Sequence, residues 1–88
     1  MSINESLLQF PCDFPIKAMG RNAEQFDLLI IELIRKHAPD FPETAISRKL
    51  SKGDKYLSVT VTILAQSQQQ LDAIYQDLTD CEPVLLAL

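Results

Sequence analysis

Few residues in this chain could do chemistry, and they lie scattered. The 88 residues contain one histidine, His37, two cysteines, Cys12 and Cys81, and twelve carboxylates placed singly along the chain. A nucleophilic triad needs a serine or cysteine held against an imidazole that a carboxylate orients, usually on a tight glycine-rich turn. No such turn surrounds any serine or cysteine here. His37 follows Lys36 at the end of a helical pattern, where an imidazole satisfies terminal carbonyls and complements the helix dipole rather than acting as a base. Cys12 and Cys81 stand at the two extremes of the chain with no His/Cys cluster near either, which excludes the spacing of a zinc site. Nothing beside them predicts an activated thiol, so both read as ordinary half-buried side chains. No two carboxylates share an apolar setting that would divide acid from base roles. Gly20 and Gly53 are the only glycines, too few for a phosphate-binding loop. The expectation is a protein that is not an enzyme and holds no metal or cofactor. A small enzyme using Cys12 or His37 is the alternative.

Binding chemistry is better represented. Gly20, Arg21 and Asn22 sit where a first strand hands over to a first helix. The amides of a helix headed by Asn22 could hold the carboxylate of an amino acid or small acid. These three residues are the candidate effector site, and the plainer reading is that Gly20 permits a tight turn. Arg48, Lys49, Lys52 and Lys55 make up half of the eight basic residues and crowd one short stretch beside Tyr56. These five are the candidate partner-binding patch, and the plainer reading is a solvated face. From Gln66 onward the charged residues are all acidic. The net charge of −4 argues against nucleic acid and against an anionic membrane as partners. The start of the chain has no basic, apolar leader and no run approaches the ~20 apolar residues of a membrane span, so the expected location is the cytoplasm.

The elements that must position these residues follow from periodicity. A short helical arm is expected over residues 3–9, then an extended segment bracketed by Pro11 and Pro15. Phe14, Ile16 and Ala18 alternate with Pro15, Lys17 and Met19, which predicts a first strand ended by Gly20. Asn22 with Gln25 has the form of a capping box. Behind it Phe26, Ile30, Leu33, Ile34 and His37 make a helical stripe running to about Ala38, where Pro39 stops it. Asp40–Glu43 reads as a connection and Thr44–Ser51 as a weaker strand. Lys52-Gly53-Asp54-Lys55 has hairpin-turn chemistry. From Tyr56 to Ala65 strict alternation with β-branched residues predicts a long strand, one face buried. Ser67 with Gln70 repeats the capping-box pattern before Leu71, Ile74, Tyr75 and Leu78, a second helix. Val84–Leu88 reads as a final strand, an apolar edge that carries no charge.

The order β-α-β-β-α-β in a chain this short predicts one α+β domain. Its fold class is a ferredoxin-like βαββαβ sandwich, a four-stranded antiparallel sheet with both helices on one face. The first and third strands should be central. The uncovered face should then show Lys17, Met19, Tyr56, Ser58, Thr60 and Thr62. An RNA-recognition sheet needs aromatics on both central strands, and here Tyr56 alone qualifies.

Several blocks in sequence order, together with the terminal Leu88, carry a resemblance over almost the whole chain. Leu7-Leu8-Gln9-Phe10-Pro11 with Phe14-Pro15-Ile16-Lys17-Ala18-Met19-Gly20 is similar to the opening of the YbeD-like family of small bacterial proteins. Arg35-Lys36-His37-Ala38-Pro39 is similar to that family's helix end, and Ser51-Lys52-Gly53 with Tyr56-Leu57-Ser58-Val59-Thr60-Val61 to its hairpin and third strand. The segment between Pro39 and Ser51 matches only loosely. The resemblance implies a ferredoxin-like fold close to the ACT regulatory domains, a single ACT-like domain over residues 1–88 with residues 1–12 as an arm. It implies no activity. It carries an association with lipoate biosynthesis genes, hence a partner enzyme. The expected function is a binding or regulatory domain that acts as a homodimer, on a partner enzyme, or by sensing a small effector.

Overall fold

Two ten-residue strands pair along their whole length and fix the frame: β1 (Cys12–Arg21) and β3 (Tyr56–Ala65). In this computed structural model, which describes residues 8–88, they are antiparallel from Arg21 opposite Tyr56 to Cys12 opposite Ala65. β2 (Ile46–Leu50) lies outside β3 and β4 (Val84–Ala87) outside β1, giving the order β2-β3-β1-β4. With α1 (Phe26–His37) and α2 (Gln68–Asp80), this is the expected ferredoxin-like sandwich with β1 and β3 central.

Period-two alternation turns Ile16, Ala18, Leu57, Val59, Val61, Ile63 and Ala65 toward the helices, and all are buried. The helices answer with Phe26, Ile30, Ile31 and Ile34 from α1 and Leu71, Ile74 and Leu78 from α2. Each large aliphatic side chain so buried contributes about 1.5–3 kcal/mol, so this one layer is the main source of stability. Phe14 is half-buried, its ring edge-on to Tyr75 with centroids 6.5 Å apart. The Tyr75 hydroxyl donates to the Leu88 carbonyl at 2.8 Å, tying α2 to the end of the sheet, and burial pushes its pKa up.

Pro15 sits inside a central strand without cost to the ladder between β1 and β3. Lys17 exchanges both main-chain bonds with Leu88, at 3.0 and 2.8 Å, so odd-numbered β1 residues direct their main chain toward β4. Pro15 therefore faces the β4 side beyond the end of that strand, where its missing N–H is not needed.

Three expectations need correction. Asn22 does not cap α1. The helix starts at Phe26, and its N-cap position is Gln25, in a left-handed conformation (φ 67°) with no side-chain cap bond. Asn22 extends the β1–β3 ladder instead: its N–H donates to the Lys55 carbonyl and its Nδ2 to the Asp54 carbonyl, each at 2.9 Å. The chain must climb from the sheet to the helical layer before its apolar stripe can face the core, and Ala23–Gln25 make that climb. β2 is shorter than Thr44–Ser51, because the connection before it is not a plain loop. Phe41 is buried there, with the Arg35 guanidinium 4.0 Å over its ring and Arg35 Nη1 donating to the Pro39 and Phe41 carbonyls at 3.2 Å. The chain is drawn inward, turns once through Glu43–Ala45, and joins the sheet only at Ile46. In the expected N-terminal arm, Leu8 and Gln9 are not helical, and residues 3–7 lie outside the described residues.

Other local signals hold. Gly53 takes φ +82° in the turn between β2 and β3. Ser67 Oγ accepts from the Gln70 N–H at 3.1 Å, while Gln70 Oε1 accepts from the Gln66 N–H at 2.7 Å. Gly20 has a role that its place in the sequence hid. It is a buried β1 residue, and a Cβ there would stand 2.5 Å from Phe26 Cε1 and 2.6 Å from the Pro83 carbonyl oxygen. The backbone of Pro83 cannot yield as a flexible side chain could. Gly20→Ala is expected to cost about 1–3 kcal/mol through overpacking, measured as a lowered urea midpoint with an unchanged slope. An unchanged midpoint would overturn this close approach.

Candidate functional site

The face of the sheet turned away from the helices is built by the same alternation that builds the core. β1 places Asp13, Pro15, Lys17, Met19 and Arg21 on it, and β3 places Tyr56, Ser58, Thr60, Thr62 and Leu64. From β2, Ser47 stands opposite Thr60 and Lys49 opposite Ser58; from β4, Leu86 stands opposite Met19. The expected face is thus present, with Asp13, Pro15, Arg21, Ser47, Lys49, Leu64 and Leu86 added. Leu64 is 53% exposed and Leu86 47%.

The two sequence-derived sites meet at one end of this face. Arg21 is paired with Tyr56, and Asn22 is bonded to Asp54 and Lys55, so Gly20–Asn22 and the Lys52–Tyr56 turn form one continuous surface. Gly20 contributes only its backbone, covered by Phe26 and Pro83. Arg48 is separated from the rest. As the neighbour of Lys49 it points to the helix side, where its Nε donates to Asp27 Oδ2 at 2.8 Å. That bond is the chief reason the Asp27 carboxyl lies below its ordinary range; the amides of Leu28 and Asp27 add to it. The first turn of α1 thus already faces a carboxylate of its own.

Charge is sorted between the layers. On the helix side and its connection, Arg35 meets Glu43 at 4.0 Å, Lys36 meets Asp77 at 3.6 Å, and Arg48 meets Asp27. The other basic residues, Lys17, Arg21, Lys49, Lys52 and Lys55, make no salt bridge among the described residues. All five belong to the open face or the turn at its end. Strand alternation was the available signal for adding Lys17 and Arg21 to the patch and removing Arg48 from it.

His37 takes a different role from the one its position suggested. Its Nε2 lies 2.6 Å from Asp77 Oδ2 on α2, and its own carbonyl is satisfied by Gln70 Nε2 at 2.9 Å. The ring ties two helices together, and no serine or cysteine is hydrogen-bonded to it among the described residues. Asp77, forty positions away, carried no local signal. Cys12 pairs with Ala65 at one end of the sheet, whereas Cys81 ends α2 just before β4, whose start meets Gly20. Among the described residues no group of His, Cys, Asp and Glu could hold a metal ion, and no helix is long and apolar enough to cross a membrane.

The hydrogen bond with His37, helped by Lys36, holds the Asp77 carboxyl below its ordinary range. A depressed carboxyl stabilises the fold fully above its unfolded pKa, about 3.9, and loses that contribution as pH falls through the folded value. Asp77→Asn is therefore expected to be less stable than the parent near pH 7, with the gap closing below pH 4. Chemical denaturation across that range checks it, and a gap that stays constant would overturn it.

Comparison with known proteins bears on the whole of this architecture. Residues 5–88 match the family described as "Protein of unknown function (DUF493)". The UPF0250 protein NE1487 of Nitrosomonas europaea is 43% identical over 84 residues, which cover 96% of this chain and 97% of that protein. A UPF0250 protein of Chromobacterium violaceum is 42% identical over 84 residues, covering 96% and 94%. One from Paraburkholderia phytofirmans is 42% identical over 78 residues, covering 89% and 88%. Matched over residues 5–88 and aligned with these relatives over nearly its full length, the chain belongs to the DUF493 family, the small YbeD-like bacterial proteins that its sequence resembles.

Proposed function

We propose that this protein is a binding module, and that an acidic surface of a partner protein docks on its open sheet face and the adjoining β2–β3 turn. One observation carries the reading: in a chain of net charge −4, Lys17, Arg21, Lys49, Lys52 and Lys55 gather on one side and make no salt bridge among the described residues, with Asp54 the one acid in the turn among them, whereas the helical side is laced with ion pairs. Clustered like charges repel, so a fold gains nothing from keeping them together unless something of opposite sign arrives. Such a patch steers encounter and sets orientation more than it adds affinity. Met19, Tyr56 and Leu86 supply apolar surface within it, the kind of centre that protein interfaces desolvate. Nucleic acid is the poorer fit, because a base-stacking sheet needs aromatics on both central strands and Tyr56 stands alone. A regulatory output would follow from occupancy of the partner.

The test compares the parent with Lys49→Glu/Lys52→Glu/Lys55→Glu and with Lys36→Glu on the helical side, each crosslinked in bacterial lysate through a photoreactive residue at position 47. The parent and Lys36→Glu should yield the same acidic crosslinked protein. The triple variant should lose it by about tenfold or more, and added salt should weaken it in the parent. Equal crosslinking by the triple variant, or capture of nucleic acid instead, would overturn the reading.

A second reading rests on β4. Leu85, Leu86 and Leu88 are exposed, and Val84–Leu88 contains no charge. Since Leu88 bonds to Lys17 and Leu86 pairs with Met19, Ala87 turns its main chain outward, free to pair with a second copy. Self-association should appear as a dimer in sedimentation at high micromolar concentration. Ala87→Pro, which removes only the outward N–H, should return it to monomer. A parent that is monomeric throughout would dispose of this mode.

A further inference from the structure

β3 has ten residues and its outer neighbour β2 has five, so β2 covers only Leu57–Val61. Main-chain direction alternates along a strand, and two bonds fix the alternation here. The Ser51 N–H donates to the Tyr56 carbonyl on the β2 side, and the Asn22 N–H donates to the Lys55 carbonyl on the β1 side. Even-numbered β3 residues therefore turn their N–H and C=O toward β2. Thr60 meets Ser47 on the last covered rung. Thr62 and Leu64 point theirs past the end of β2, and no backbone hydrogen bond from the described loops reaches either.

The same inward pull that buries Phe41 takes the connecting chain out of line with β2, so that Glu43–Ala45 touches β3 as a helical turn without pairing with it. A groove of about 790 Å³ is left, lined by Thr62 and Leu64 of the edge and by Phe41 and Pro42 of the connection. Its charge is the reverse of that around the β2–β3 turn, at the other end of β3. Asp13 and Asp40 line it, and no lysine or arginine does.

We propose that this groove receives an extended peptide segment of a partner protein, which adds to the sheet in line with β2 and carries a lysine or arginine toward Asp13 and Asp40. Two exposed rungs on one strand repeat at about 6.8 Å, the spacing at which a second strand offers its own donors and acceptors, and a compact small molecule does not. Alternate side chains of the added strand would fall beside Leu64 on the open face and beside Ile63 on the helix side. Each has a place in the lining. The inference stands apart from the acidic partner proposed for the cationic end of the face, since the charged residues differ and the sign of charge is opposite, while Ser47, Thr62 and Leu64 border both.

A displayed library of random linear twelve-residue peptides, panned on the whole protein and followed by amide hydrogen exchange, tests it. The expected result is a set of basic, β-prone sequences that bind competitively with one another. They should slow exchange at Thr62 and Leu64 while leaving Lys49–Tyr56 unchanged. Asp13→Asn/Asp40→Asn, which keeps the edge intact, should weaken them by about threefold to tenfold. Panning that yields no binder, binders that protect other amides, or equal affinity for the asparagine variant would each overturn it.

Discussion

The antiparallel pairing of β1 with β3 is the constraint on which the rest of the molecule depends. A slip of one residue would turn either Ile16 and Ala18 or Val59 and Val61 out of the core and bring Lys17 or Thr60 in, so the register is held by the buried side chains of both strands. Once set, it assigns each neighbouring residue to a face. It lets Pro15 occupy a central strand, because the missing N–H falls where no strand runs. It brings Asn22 level with Lys55, so that the end of β1 secures the turn between β2 and β3. It also decides that Lys49 faces out while Arg48 faces α1.

Side chains on the helical face are consumed by structure to a degree that those on the open face are not. Arg35 secures the buried Phe41, Arg48 joins β2 to α1 through Asp27, and His37 joins α1 to α2 through Asp77. Each bond is partly exposed and individually modest in worth. Their joint effect is positional: β2 and the connection before it are pinned to the helices rather than left to follow the edge of β3.

What was legible in the sequence was local. The alternation of Tyr56–Ala65 and the cap at Ser67 needed no distant partner to be read, and they gave β3 and the start of α2 directly. What was missed depends on contacts across the chain. Asn22 resembles an N-cap in isolation, yet its partners lie more than thirty residues away. Phe41 looks like a loop residue until Arg35 is seen folded over it. The basic run from Arg48 to Lys55 reads as one patch, but strand alternation divides it between two faces and only the register of β2 shows where. No periodicity linked His37 to Asp77.

The shortness of β2 has one origin and two consequences. Burying Phe41 removes apolar surface from water, and the chain must leave the sheet plane to do so. β2 can then span only the middle of β3. At one of its ends the strand runs into a tight turn stacked with lysines; at the other it uncovers Thr62 and Leu64 beside two carboxylates. The turn sets the positive end of this edge, and the burial of Phe41 leaves the negative end uncovered. A basic segment arriving at the negative end would be drawn there and kept from the lysine-rich end by charge before any main-chain bond formed, which is a way to specify position with very few residues.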